Sequence, residues 1–169
     1  ASLKWISSCP PSALPVDDSV FDALQAKHPP ARPMNDACTL VGPVDTPDPI
    51  LFNSIDGTLV RKAAKLTCGS PGPSGIDAES WGRILCSKHF KSVGTDLCES
   101  FAKFIRILAT ENVNPDHISA LLASRLVPLD KHPGIRPIGI GEILGRIAGK
   151  CMSLVIKSEV TSATAPLQT

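Results

Sequence analysis

The segment 125–157 constrains the fold of this chain more than any other, because it combines a hairpin pattern with a helical one. Two short extended runs, residues 125–129 and 135–140, flank the turn sequence DKHPG, which is typical of a β-hairpin. Pro128 and Pro137 have no N–H to donate, so we expect each strand to turn that position away from its partner. The hairpin is therefore predicted to protrude, with two edge-like strands.

A helix is predicted directly after the hairpin. Apolar residues recur there at helical spacing, and cations follow one edge of the apolar face. The apolar positions are Ile143, Leu144, Ile147, Cys151, Leu154 and Val155, and the cations are Arg146, Lys150 and Lys157. Together with Arg125, Lys131 and Arg136 of the hairpin, this basic row forms a candidate phosphate-binding surface.

Four helices are predicted between residue 50 and the hairpin, which gives a mainly helical α+β fold. Their expected starts are Ser54 or Asp56, Asp77, Asp96 and Asn114-Pro-Asp116. In the third helix an apolar stripe is expected to face the core. It comprises Leu97, Phe101, Phe104, Ile105 and Leu108. In the fourth we expect Ile118, Leu121 and Leu122 to be buried.

The first 49 residues are predicted to be a Pro-rich, irregular leader with one short helix behind Asp17 and Asp18. Prolines recur from Pro29 to Pro49, which disfavours regular structure and indicates an extended linker. We therefore place a boundary near Pro49, with residues 50–169 as the folded segment. The chain lacks an initiator Met, and we expect a fragment of a longer protein.

A second motif lies upstream of the hairpin. The run Gly69-Ser-Pro-Gly-Pro-Ser-Gly75 is too rich in Gly and Pro for helix or strand, and it leads to Asp77 as a predicted N-cap. A Gly-rich loop before a helix can hold a phosphate, but this one matches neither nucleotide-binding pattern, so we expect a shaping loop instead.

These two motifs resemble a known family. The segment LVPLDKHPGIRPIGIGEILGRIAGK resembles the fingers hairpin of reverse transcriptases from retroelements, where a "P-L-x-K … R-P-I-x-I … R-I … K" pattern recurs. The run SPGPSGIDAESWGRIL is similar to the segment that precedes this hairpin in the same enzymes. The resemblance covers residues 50–169 and implies the fingers region of an RNA-directed DNA polymerase.

The resemblance implies binding rather than catalysis. Family members carry their Mg²⁺-binding carboxylates in a palm with a Tyr/Phe-x-Asp-Asp turn. Here the one Asp-Asp pair, Asp17-Asp18, lies in the leader, and the chain has no Tyr. We therefore expect no catalytic residue, metal site or cofactor in this segment, with Mg²⁺ held by a palm outside it.

The expected partners are a deoxynucleotide triphosphate, an RNA template, a DNA primer and the remainder of the polymerase. In the family, basic residues of the hairpin contact the incoming triphosphate, and Arg136 matches the Arg of R-P-I directly. Lys131 and Arg125 are the other candidate nucleotide-binding residues. Arg146 and Lys150 are expected to contact the template backbone. A solvated charge is the alternative for each of them, and a formal net charge of +1 favours neither.

Cysteine usage and hydropathy indicate an intracellular protein, in cytoplasm or nucleus. The six cysteines are irregularly spaced, no signal-peptide pattern is present, and no apolar run reaches the ~20 residues of a membrane span. Cys86, His89 and Cys98 offer only three candidate zinc ligands, so we expect buried thiols.

A function of a different class stays open: a non-catalytic helical module that binds a protein partner, or a decayed retroelement relic. Gly145, inside the predicted last helix, fits either close helix packing or such decay.

Overall fold

A computed structural model of the chain describes residues 13–28 and 48–164. Contacts divide the chain into two compact units. One comprises Ala1–Gly42 with Arg125–Gly139, and the other comprises Pro43–Ser124 with Ile140–Thr169. The hairpin therefore groups with the N-terminal helix, whereas the sequence assigned it to the segment after residue 49.

The first unit contains helix α1 (Asp18–Lys27) and most of a hairpin formed by β1 (Ser124–Asp130) and β2 (Ile135–Gly141). Asp17 is the N-cap of α1, and its carboxylate accepts a hydrogen bond from the Val20 N–H at 2.9 Å. That bond satisfies one of the free amides at the helix start. The short helix expected behind Asp17 is thus confirmed.

The hairpin register explains the two strand prolines. The strands have equal length, and the Lys131 N–H donates to the Gly134 carbonyl at 3.0 Å across the turn. This pairing sets Pro128 opposite Pro137 at a position where backbone groups point outward, so neither missing N–H interrupts the ladder. The outward Pro128 carbonyl accepts the Leu14 N–H at 3.0 Å.

Helix α1 covers one face of the hairpin. Val20 and Leu24 are buried on α1, and Leu24 and Leu126 line a shared cavity of about 360 Å³. The Lys27 ammonium donates to the Ile135 carbonyl at 2.6 Å, which fixes the helix to the outer edge of β2. The opposite face of the hairpin carries the odd-numbered residues of β1.

The second unit is helical. A 3₁₀ helix (Pro49–Ser54) precedes α2 (Gly57–Leu66), α3 (Ala78–Cys86), a 3₁₀ turn (Lys88–Phe90) and α4 (Lys91–Thr110). A 3₁₀ helix (Pro115–Ile118) and the short α5 (Ser119–Leu122) follow, and α6 (Ile143–Thr164) comes after the hairpin. Asp56 and Asp77 are the N-caps of α2 and α3, as the sequence predicts. A mainly helical α+β class is confirmed.

The core of this unit is organised around α2, which packs against α3, α4 and α6. Its buried residues include Val60, Ala63 and Ala64, and the neighbouring helices contribute larger side chains. From α6 the predicted core residues Ile143, Ile147 and Cys151 are fully or almost fully buried. The helical pattern after the hairpin is therefore confirmed.

Helix α4 differs from its sequence prediction in two ways. Asp96 is not its N-cap, because the turn Lys88–Phe90 runs directly into a helix that begins at Lys91. The predicted core stripe is confirmed only in part. Ile105 is fully buried and Phe101 is partly buried against the core, whereas Leu97 is 39% exposed. Cys98 and Ala102, which lie outside the predicted stripe, complete the buried side. Small residues on α4 face small residues on α2, which lets the two helices approach closely.

The segment before the hairpin is less regular than expected. Asn114 caps a 3₁₀ helix instead of a long α-helix, and none of Ile118, Leu121 and Leu122 is buried. Leu122 is 60% exposed. Among the residues that the structure describes, no helix combines the length and apolar character needed to cross a membrane.

Candidate phosphate-binding hairpin and motif junction

The three hairpin cations lie at exposed positions. Residues an even number of positions apart on a strand point to the same side, so Arg125 lies on the same face of the hairpin as Leu129. Arg136 stands directly opposite Leu129 and shares that face, which α1 does not cover. Lys131 is exposed in the turn. Their side chains have no ion-pair or hydrogen-bond partner among residues 13–28 and 48–164. All three are therefore available to an anion.

The register also sets the spacing of these cations. Arg125 stands opposite Ile140, four residues along β2 from Arg136, which corresponds to ~13 Å. Lys131 stands opposite Gly134, only two residues or ~7 Å from Arg136. Arg136 and Lys131 are therefore the pair spaced to hold neighbouring phosphates. Arg125 is placed to contact a separate anionic group.

In the second unit, the two motifs that carry the family resemblance meet. The Glu142 carboxylate, at the start of α6, accepts hydrogen bonds from the Ser74 N–H at 2.6 Å and the Ser74 hydroxyl at 2.8 Å. Gly72 lies so close to the Gly141–Glu142 backbone that a Cβ there would come within 2.9 Å of it. The Gly/Pro loop is thus fixed to the end of β2 and the first turn of α6, a contact we call the motif junction.

Arg146 and Lys150 are engaged in bonds to backbone carbonyls. The Arg146 guanidinium donates to the Cys68 carbonyl at 3.1 Å and also to the Ser70 carbonyl. The Lys150 ammonium donates to the Leu66 carbonyl at the end of α2, at 3.3 Å. Cations near a helix C-terminus satisfy free carbonyls and the helix dipole. Contact with a template stays a prediction for both, and their bonds give both a structural role that the sequence did not predict.

The N-terminus of α3 is occupied by a carboxylate. Asp77 accepts a hydrogen bond from the Ser80 N–H at 2.8 Å, and this bond lowers the pKa of Asp77 below its usual value. With Asp77 at the helix start and Glu142 against Ser74, the loop presents two negative charges where a phosphate would bind. Its geometry accordingly supports a shaping role.

The cysteines of the second unit are free thiols. Cys98 and Cys151 are buried, and burial raises the pKa of both thiols. The Cys86 thiol contacts the Arg61 carbonyl at 3.6 Å. Within the described ranges, no group of three His, Cys, Asp or Glu side chains is placed to hold a metal ion.

Sequence reasoning missed Ser74, Glu142 and Trp81 as members of one site. Ser74 and Glu142 each stood inside a recognised motif, but nothing in either motif indicated the other. The available signal was an acidic residue just before the first helical residue, Ile143, with a Ser in a Gly/Pro loop upstream.

Comparisons with known proteins add no relative. No family model matches the chain, and no curated protein or solved structure matches it either.

Proposed function

We propose that this chain is the fingers portion of an RNA-directed DNA polymerase, contacting the incoming nucleotide triphosphate through the hairpin. Catalysis would require a palm that supplies carboxylates and Mg²⁺. The observation that carries the proposal is the meeting of the two resembling motifs at the motif junction. Two sequence motifs that lie apart in the chain contact each other through Ser74 and Glu142.

The exposed hairpin cations support the nucleotide-binding part of the proposal. Arg136 matches the family's R-P-I arginine and is exposed on the hairpin face opposite α1, where its planar fork suits bidentate phosphate contact. Lys131 lies in the turn opposite Gly134, which is two residues or ~7 Å from Arg136, and is therefore spaced to reach an adjacent phosphate. The template-backbone role of Arg146 and Lys150 has less support, since both already bind loop carbonyls.

The first test measures binding by the chain itself. We expect weak binding of a fluorescent RNA–DNA primer–template, with an affinity that falls steeply as salt rises, because each neutralised phosphate releases counterions. Arg136→Ala should reduce the log–log salt slope by about one phosphate contact, or ~0.7–0.9. Fluorescence anisotropy at several salt concentrations measures both quantities.

Arg83→Ala is the matched control, since Arg83 is an exposed arginine paired only with Glu79 on the same helix. It should leave the salt slope unchanged.

In a polymerase that joins this chain to a palm, Arg136→Ala should raise the KM for nucleotide. An unchanged KM at Arg136→Ala would remove the nucleotide-binding assignment.

A second candidate function, docking to a protein partner, is favoured by the outer apolar face of α4. This face comprises Val93, Leu97, Phe104 and Ile107, with Phe101 at its border and partly buried against the core. Val93 is 67% exposed, Leu97 39% and Ile107 42%, and the rings of Phe101 and Phe104 stack with centroids 6.2 Å apart. Exposed apolar residues that lie on one helix face indicate an interaction surface. A helical interaction module or relic would bind nucleic acid without a salt response, which separates it from the first proposal.

A further inference from the structure

The second unit contains a cavity of about 510 Å³ beside the motif junction. Its walls are formed by the Gly/Pro loop, α3, α5 and the first turn of α6. The lining residues are mostly apolar, and the largest is Trp81 of α3. A cavity of this size, mainly apolar and with few polar groups, is typical of a small-molecule site.

One charge lies in the wall of this cavity. Both oxygens of the Glu142 carboxylate accept a bond from Ser74, but carboxylate oxygens have about four acceptor positions between them. Among the described residues no cation forms an ion pair with Glu142. The Ser74 donors and the start of α6 partly offset its negative charge, but no cation lies beside it among those residues, so a cation that enters this apolar space would gain an ion pair.

Trp81 adds two properties to the same wall. Indole is the aromatic side chain that attracts cations most strongly. Its Nε1–H is buried and has no hydrogen-bond partner in the part of the chain that the structure describes. The ring is thus held by packing, and it is a built-in fluorescent reporter of anything that enters the cavity.

We propose that this cavity binds an organic monocation with an apolar body, such as an aromatic amine. The ammonium group pairs with Glu142, and the ring packs among Trp81, Leu121 and Leu144. Anions of the same shape are rejected by the Glu142 charge. The proposal is independent of the polymerase assignment, because it uses none of the hairpin cations.

Tryptophan fluorescence of the full 169-residue chain tests it. The variant Trp5→Phe leaves Trp81 as the single reporter. Phenethylamine is the probe, and phenylacetate is its anionic counterpart with the same ring. We expect saturable quenching by phenethylamine with a Kd of about 1 mM or tighter, and none by phenylacetate over the same range.

Four variants test separately whether binding depends on the Glu142 charge, on the space in the cavity, or on the fold as a whole. Glu142→Gln keeps the shape and should weaken phenethylamine at least about tenfold. Ser74→Ala removes a hydroxyl bond but keeps the carboxylate, so its Kd should change less than about threefold. Ala120→Phe fills the exposed mouth and should abolish quenching, whereas Ser119→Phe adds the same ring outside the lining and should not.

Three results would overturn the proposal. The first is that phenethylamine causes no saturable quenching, and the second is that phenylacetate quenches equally well. The third is that the Glu142→Gln variant keeps both the parent's circular dichroism spectrum and the parent's Kd for phenethylamine. Quenching of Trp81 by an oligonucleotide that phenethylamine cannot displace would assign the cavity to nucleic acid instead.

Discussion

At the scale of single residues, the thiols show how burial sets chemistry. Cys151 is fully buried, and loss of hydration raises its pKa from 9.0 to about 11. Burial also raises the pKa of Cys98, while Cys68 is exposed. Since the folded-state pKa of Cys151 lies above the unfolded value, its neutral thiol stabilises the fold below about pH 9, and that contribution is lost as pH rises towards 11.

We expect iodoacetamide to alkylate the exposed Cys68 at least about a hundredfold faster than Cys151 at about pH 8. Burial closes Cys151 to the reagent and raises its pKa to about 11, which leaves little of the reactive thiolate. Cys98 should be protected as well. Peptide mapping by mass spectrometry measures each site separately, and labelling in urea is the control that should bring the rates together. Comparable rates at Cys68 and Cys151 in the folded protein would contradict the burial described above.

At the scale of elements, Arg146 and Lys150 join α6 to the end of α2 and to the loop after it. Two loop carbonyls depend on one guanidinium, whose Nε is buried without a partner of its own. Gly145 lies beside these residues, and a Cβ there would approach the Leu121 carbonyl to 3.4 Å, an ordinary contact distance. The position therefore has room for alanine, and both explanations that the sequence allowed stay open.

Arg146→Ala should lower the free energy of unfolding by about 1–3 kcal/mol, since it leaves carbonyls without donors. Arg83→Ala removes an exposed ion pair on one helix and should cost less than about 0.5 kcal/mol. Urea unfolding of the two variants gives the comparison. Equal, small losses would mean that the Arg146 bonds are dispensable, and its template-binding role would then gain support.

The sequence predicted the elements whose signals are local. Asp17, Asp56 and Asp77 cap their helices through bonds to amides three residues away, and the hairpin followed from its turn and its prolines. At α4 the sequence predicted the buried Ile105 but missed Cys98 and Ala102, because only large apolar residues were assigned to the core side. The Ser74–Glu142 contact spans 68 residues, and no local pattern encodes such a pairing.

At the scale of the whole molecule, low charge and exposed apolar surface occur together. The formal net charge is +1, which gives little mutual repulsion near neutral pH. The outer apolar face of α4 is then free to meet a second copy or another protein. The hairpin cations carry one proposal and this face carries another, so a variant can change either surface without changing the other.

We expect the average mass of the chain to rise with concentration in sedimentation velocity experiments. The double variant Val93→Lys/Leu97→Lys should suppress this association, since two charges would be buried in the contact. Leu122→Lys adds a charge at an equally exposed residue of α5 and is the control that should associate more than the double variant. A chain that stays monomeric at every concentration would show that this face does not self-associate.

The paired prolines of the hairpin have a consequence for aggregation. The free edge of a β-strand recruits strands from other chains by offering unpaired N–H and carbonyl groups. Here Pro137 has no N–H to offer, the Ile135 carbonyl is taken by Lys27, and the Pro128 carbonyl is taken by Leu14. A foreign strand approaching either edge meets these gaps in the row of free backbone groups, so the hairpin is a poorer template for an intermolecular sheet than an edge with every group free.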